Sequence, residues 1–324
     1  MLRRLGYPVT VRFAPAQTLK SLWGLVGALK GTDSIIIRID GSGTLDRYAC
    51  IKLFFPGIHI YWEIHGSLEE LRWGTSGNNI RIVLKHGLRW LFSWLTSGYL
   101  FVSPTLETYM VKSIAQKKSA VLPNVFVPPR GQVKRRDILI SIKKRYPSLV
   151  VFWGGDPRYR WQGIDLVARV ATTMVSIDPR ILFVVTGQGS WYRLKAQPNV
   201  MVLPLVDEST YWAIADRSHV CLALYHVCPG IPSYFSPLKI ITYLTLGKPV
   251  IATRTGEISR LISDGENGFL TSNSTTQIVK YIQLLKGQTD LYKRISQTAK
   301  QSAQRFTMGS MSVVWKSRLR TLFA

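Results

Sequence analysis

Cysteine is scarce. Cys50, Cys221 and Cys228 are the only three in 324 residues, and no two of them share a C-x-x-C spacing. That excludes a disulfide framework. No H-E-x-x-H occurs either, so no metal site is expected, nor any other cofactor. Nothing here calls for an oxidising compartment, and cytoplasmic residence is the default expectation. Long apolar runs are also missing. The longest, Leu91 to Val102, is preceded by Arg89 and falls short of the roughly 18 residues a spanning helix needs. The opening MLRRLGYPVTV has no apolar core of leader length before Tyr7-Pro8.

Acidic residues are few. Asp and Glu number 18 against 42 Lys and Arg, a formal charge of +24. Residues 1–130 hold 16 basic and 7 acidic side chains, and residues 131–324 hold 26 and 11. The excess is therefore global and not a basic tail. It asks for an anionic partner: nucleic acid, a phosphate-bearing ligand or an anionic membrane surface. It says nothing about fold.

What is present is a globular composition, 46% hydrophobic and 19% charged. That supplies enough apolar surface to offset the entropy of ordering. The length suggests two domains. Short β-rich runs alternate with helical stretches. Val9–Phe13, Ser34–Ile39, His59–Ile64 and Tyr99–Val102 read as strands, with helices over Ser21–Lys30 and Asp46–Phe55. A second series follows, with strands at Val150–Trp153, Ile181–Thr186, Val200–Leu203, Val220–Leu224 and Pro249–Thr253. Between them Ile164–Val175, Thr210–Ala215, Leu238–Leu246 and Ile258–Ile262 read as helices. Runs such as IIIRI and LFVVT suit parallel strands covered on both faces. Two βαβα series predict two Rossmann-like, doubly wound α/β domains. The Pro-rich stretch Leu122–Asp137 marks the boundary, because Pro123, Pro128 and Pro129 cannot continue a helix or a central strand. The expected domains are 1–130 and 131–305, with a C-terminal helix over 306–324 that packs back toward the first.

The stretch Ser236–Leu270 carries the most information. Ser236-Pro237 reads as a helix cap followed by proline at the first helical position. The helix ends at Gly247, a C-cap glycine. Asp264-Gly265-Glu266-Asn267-Gly268 is a turn leading into a short strand. In a doubly wound sheet, ligands lie outside the carboxyl ends of the strands. The helix start at Ser236 is thus placed to receive an anion, and Lys239 adds a charge one turn in.

This segment resembles the donor signature of the retaining glycosyltransferases of family 4 (glycosyl transferases group 1). The matching residues are Ser236-Pro237-Leu238-Lys239, Gly247-Lys248-Pro249-Val250-Ile251-Ala252, Gly256 and Asp264 to Gly268. Upstream, Trp153-Gly154-Gly155, Arg158, Arg160 and Trp161-Gln162-Gly163-Ile164-Asp165 are similar to the first loop of the donor domain. Thr186-Gly187-Gln188-Gly189 is similar to its G-x-G turn. Glu63-Ile64-His65-Gly66, Val102-Ser103 and Pro123-Asn124 follow the landmarks of the acceptor domain in order.

The resemblance implies the GT-B fold, with a nucleotide-sugar held by the C-terminal domain and the acceptor by the N-terminal one, across a cleft. It implies sugar transfer with retention and without a metal. His65, Arg158, Arg160 and Lys239 would be catalytic, the cations stabilising the leaving diphosphate. Gly155, Gln162, Gly187, Gly189, Ser236, Pro237, Leu238 and Thr242 would line the donor. Two positions depart from the pattern. Thr242 stands where a glutamate usually holds the ribose, and Gln162 stands where a lysine usually holds a phosphate. By the same alignment the chain opens within the first helix, so the family's first strand, Gly-rich loop and most of that helix are expected to be missing.

Arg81, Lys85 and Arg89 recur every four residues beside Trp90 and Trp94. The plain reading is a solvated face over a domain core, and the sharper one is a basic amphipathic patch for the inner face of an anionic membrane. Acceptors in the family are often lipid-linked, so the expected partners are a nucleotide-sugar, a glycan or lipid-linked acceptor and a membrane surface. A decayed homologue acting only as a binding protein is the alternative. Nucleic acid, suggested by charge alone, has no supporting motif and is not expected.

Overall fold

The computed structural model describes residues 29, 31–40, 46–69, 79–129, 131–145, 147–156, 160–187, 197–227 and 237–323. The strand expected at Val9–Phe13 and nearly all of the helix expected at Ser21–Lys30 lie outside these residues.

The described elements run in chain order as follows. First come β1 (Ser34–Ile39), a 3-10 turn (Asp46–Cys50) leading into α1 (Ile51–Phe54), and β2 (His59–Ile64). Next are α2 (Asn79–Ser93), β3 (Gly98–Phe101), α3 (Pro104–Met110), β4 (Ser119–Val121), α4 (Arg136–Lys144) and β5 (Leu149–Gly154). Then follow α5 (Ile164–Ile177), β6 (Ile181–Thr186), β7 (Val200–Leu203), α6 (Glu208–Arg217), β8 (Val220–Ala223), α7 (Leu238–Thr245), β9 (Val250–Thr253) and α8 (Ile258–Leu261). The chain closes with β10 (Gly268–Thr271), α9 (Thr275–Gly287), α10 (Thr289–Ala303) and α11 (Met308–Phe323). The α/β alternation expected from the pattern is present. The compact units are Met1–Pro123 with Met308–Ala324, and Asn124–Thr307.

In the first unit the sheet order is β1-β2-β3-β4 and every described pairing is parallel. One face of this sheet is covered by α11. Leu319 and Leu322 pack on Tyr61, Leu100 and Ala120, with Trp315 at the margin. Trp315 Nε1 donates to Pro123 O at 3.3 Å, and the Arg318 guanidinium donates to Val121 O. The last helix of the sequence thus completes the first unit.

The second unit has the order β10-β9-β8-β5-β6-β7, again all parallel. Counted from its own first strand, β5, that is 3-2-1-4-5-6, the doubly wound arrangement. Alternation along β5 feeds two cores. Val150 and Phe152 join Ile214, Ile240 and Tyr243 on one face. Leu149, Val151 and Trp153 join Leu166, Val170 and Ile282 on the other. All six residues of β5 are buried, as a parallel strand covered on both sides requires.

Helix α2 corrects the sequence reading of its basic stripe. Each four-residue step advances about 40° round a helix, so the three basic residues do not stay on one border. Arg81 is exposed and Lys85 half-buried, but Arg89 is 1% exposed and belongs to the interior. Its Nε donates to Asp46 Oδ2 at 2.7 Å, and its Nη2 donates to Asp40 O at 2.9 Å. Arg89 is therefore not part of a surface patch. It ties α2 to the turn after β1, two charges compensating each other out of water. Arg89→Met leaves the Asp46 carboxylate buried and unpaired, and is expected to cost about 3–5 kcal/mol in urea unfolding. The double change Asp46→Leu, Arg89→Met should recover most of that loss. A single variant as stable as the parent would refute the role.

Candidate functional site

The second sheet changes winding direction between β5 and β8, and the crevice at their carboxyl ends is where such folds take ligands. The residues that meet there come from three elements. Trp153 and Gly154 end β5, Tyr225 follows β8, and Lys239 stands on the first turn of α7.

Lys239 reaches inward. Its Nζ donates to Gly154 O at 3.0 Å and lies 3.5 Å from Gln162 Oε1. The ammonium also stands 4.7 Å from the centre of the Tyr225 ring and 5.1 Å from that of Trp153, within cation–π range of both. Burial of this group among the rings pushes its pKa down to about 7. Trp161 stacks on the other ring wall, with its centroid 5.8 Å from that of Tyr225 and the planes 20° apart.

The loop after β5 is folded by its own polar groups. Gly155 N donates to Thr186 O at 3.1 Å, joining the ends of β5 and β6. Asp156 N donates to Gln162 Oε1 at 3.0 Å. A Cβ at Gly155 would fall 2.5 Å from that same oxygen and from the Trp153 ring, so only glycine lets the side chain of Gln162 close the loop. Gly163, at the cap of α5, has φ +64°, and a Cβ there would lie 2.7 Å from Leu224 O. Backbone thus approaches backbone beside the crevice. Gly187 directly follows β6 at the same edge.

Beside these, His226 and Asp165 form a pair. Asp165 Oδ1 is 2.6 Å from His226 Nε2, and Arg169 Nη1 donates to Oδ2 at 2.9 Å. Burial opposes ionisation of Asp165, but the bonds to His226 and Arg169 outweigh it and hold the carboxyl below its ordinary range. His226 N donates to Trp161 O at 2.9 Å, which fixes the strand-end loop to the 3-10 turn Arg160–Gln162.

The other residues singled out from the sequence are placed as follows. Pro237 occupies the cap position of α7, where the sequence suggested Ser236, and Leu238 is half-exposed beside it. Thr242 Oγ1 donates to Leu238 O at 3.1 Å, one turn back in its own helix. Gly247 ends the helix with φ +66°. Arg158, Gly189 and Ser236 lie outside the described residues, as does the side chain of Arg160. The Asp264–Gly268 turn is architectural. Asp264 Oδ1 accepts from Leu270 N at 2.9 Å, and Asn267 Oδ1 accepts from Ser263 N at 2.8 Å.

In the first unit, His65 follows β2 directly. Arg38 Nη2 is 3.3 Å from its Nδ1, and its Nε2 is 3.2 Å from Glu63 Oε1. An arginine can only donate, so Nδ1 is the acceptor in this contact. Burial would raise Glu63, yet the contacts with His65 and Arg38 prevail and lower it.

Trp153, Tyr225 and the inward aim of Gln162 were not singled out as a cage from the sequence. Aromatic residues at buried strand ends are ordinary core signals, and only the fold brings them around one ammonium. Among the described residues, no group of three or more His, Cys, Asp or Glu could hold a metal ion.

Residues 147–287 match the family model described as Glycosyl transferases group 1, a span running from β5 to the end of α9 and containing the whole crevice. No curated protein matches the sequence. Among solved structures, the chain is similar to Alr3699/HepE of Anabaena in complex with UDP-glucose, at TM-score 0.72 and 16% identity, over 99% of this chain and 88% of that one. It is also similar to sucrose-phosphate synthase from Thermosynechococcus elongatus, at TM-score 0.68 and 15% identity, over 98% and 82%. A glycosyltransferase from Rickettsia africae matches at TM-score 0.62 and 14% identity, over 99% and 86%. At these identities the likeness is one of fold: two Rossmann-like α/β units of the GT-B class.

Lys239 makes the second unit pH-sensitive. In the unfolded chain a lysine keeps its proton to about 10.4, whereas here it is lost near 7. The unfolded state binds more protons across that window, so stability rises with pH there. Urea unfolding should show this rise in the parent, and Lys239→Met should flatten it. An unchanged slope in the variant would remove Lys239 as its source.

Proposed function

We propose that the chain is a retaining, metal-independent glycosyltransferase. It moves a sugar from a nucleoside-diphosphate donor to a glycan or lipid-linked acceptor at the inner face of a membrane. The observation that carries this reading is the convergence of Lys239 and the start of α7 on the switch point of a unit whose sequence matches the group 1 family. At the start of α7, Ile240 N turns back to Pro237 O at 3.0 Å, while the N–H groups of Leu238 and Lys239 precede the helix's own ladder and favour an anion. A diphosphate entering there gains both the helix end and the Lys239 charge, and its own charge raises the lysine pKa so that the proton is retained. Both interactions strengthen as negative charge builds on the leaving diphosphate, which is where stabilisation accelerates transfer.

In the transfer, the bond from the anomeric carbon to the donor phosphate oxygen breaks. A bond from the same carbon to the acceptor hydroxyl oxygen forms on the same face, and the hydroxyl proton passes to the departing diphosphate. His65 belongs to the acceptor side in this reading, with its ring held by Arg38 and Glu63. HepE in its structure with UDP and glucose is a fold neighbour whose ligands are of the proposed class.

The alternative is a homologue that only binds. Thr242 favours it, since its hydroxyl is bonded to Leu238 O and offers no carboxylate for a ribose. Calorimetric titration with a panel of nucleoside diphosphates tests the donor site. One member should bind, and Lys239→Met should weaken it on the order of tenfold or more, the worth of one hydrogen bond to a charged group. Transfer assays with the matching nucleotide-sugar then separate the two readings. Turnover with the donor anomer preserved in the product supports the enzyme. Binding without turnover supports the alternative, and no binding by any nucleotide removes the donor site.

A further inference from the structure

The fold turns α2 inside out relative to an ordinary surface helix. Its inner side carries Ile82 together with the polar Arg89 and Ser93, and Ser93 Oγ accepts from Ala115 N at 2.7 Å. Its outer side carries Val83, Leu84, Leu88, Trp90 and Leu91, with Trp94 just past its end, each between 49% and 65% exposed. At about 100° per residue, these six fall within one arc of roughly half the helix circumference. The two tryptophans meet edge to face at 5.8 Å, and the Lys117 ammonium stands 5.9 Å from the Trp94 ring centre. The turn held by Arg89 leads straight into α1, whose Leu53 and Phe54 are 68% and 64% exposed.

We propose that this outer face of α2 inserts into the interfacial layer of an anionic phospholipid bilayer, with the helix axis lying along the surface. Charge selects the occupant. The helix Asn79–Ser93 contains no acidic residue, Arg81 flanks the apolar arc, and the whole chain carries +24. A second copy on the same face would bring like charges together, whereas anionic headgroups neutralise them. Tryptophan at the rim of an apolar face suits the headgroup boundary. The buried Arg89–Asp46 pair holds the helix with its apolar side outward. This surface deepens the membrane part of the proposed function and rests on it, while the donor site plays no part.

The test is flotation of the full chain with vesicles of phosphatidylcholine alone or mixed with phosphatidylglycerol, at low and high salt. The parent should float with the anionic vesicles and keep part of that binding at high salt. Arg81→Gln should lose mainly the salt-sensitive part. Leu84→Glu with Leu91→Glu should lower partition on the order of a hundredfold. Both side chains are exposed, so the variant's thermal unfolding should match the parent's. Trp90→Phe with Trp94→Phe keeps the face apolar and guards against misfolding. It should still float, but lose the quenching that brominated lipid causes in the parent. Absence of flotation, or equal flotation of the Glu variant, overturns the proposal. So does binding abolished wholly by salt. Dimerisation without vesicles that Leu84→Glu and Leu91→Glu abolish would assign the face to a second copy instead. Nucleoside-diphosphate titration of the same preparations judges the donor reading separately.

Discussion

An ammonium group held away from water needs an acceptor that does not move, and here the acceptor is a carbonyl at the end of a strand. Gly154 O is available to Lys239 because β5 stops there and the sheet turns the other way at β8. The rings of Trp153 and Tyr225 bound the group from either strand, so the cage and the switch point are one feature. The two buried cores on the faces of the sheet hold these strand ends in place. Trp153 and Tyr225 are themselves members of these cores, so the site's walls are core residues.

A different constraint governs the first unit. Its helix α2 has an apolar arc wide enough to build a core, and an arginine on the opposite side. Burying the apolar arc would be the ordinary solution. The chain instead buries Arg89, and this is tolerable only because Asp46 supplies a full counter-charge and Asp40 O a further acceptor. A paired interior charge contributes little net stability, but it fixes orientation, since the helix cannot rotate without stranding both partners. Orientation is what leaves six large apolar side chains facing out.

Periodicity made much of the architecture readable. Ser34–Ile39, His59–Ile64, Ile181–Thr186 and Val200–Leu203 are strands with the bounds their residue types suggested. Gly247 ends its helix in the left-handed conformation that only a residue lacking Cβ adopts cheaply. Arg89 was misread because its partner lies 43 positions upstream, beyond any helical spacing rule. The cage around Lys239 was hidden for a similar reason. Its contacts join positions 77 and 85 residues apart, through a loop and a strand end with no shared motif. The Asp264–Gly268 turn belongs to the resembling signature, but Asp264 and Asn267 are occupied with flanking backbone, Arg254 and Ser302.

The exchange of lysine for Gln162 and the inward aim of Lys239 are physically linked. A lysine at 162 would place a second ammonium where Gln162 Oε1 now lies, 3.5 Å from Lys239 Nζ. Two like charges about 4 Å apart repel by roughly 4 kcal/mol at the effective dielectric of a protein surface. A lysine also has no acceptor for Asp156 N, so the loop after β5 would lose the bond that closes it. Glutamine removes the repulsion and supplies the acceptor. A single ammonium, caged and close to neutrality, responds to an arriving anion more strongly than one already fully charged and solvated. In the proposed function, its protonation and the entry of the diphosphate form one coupled equilibrium.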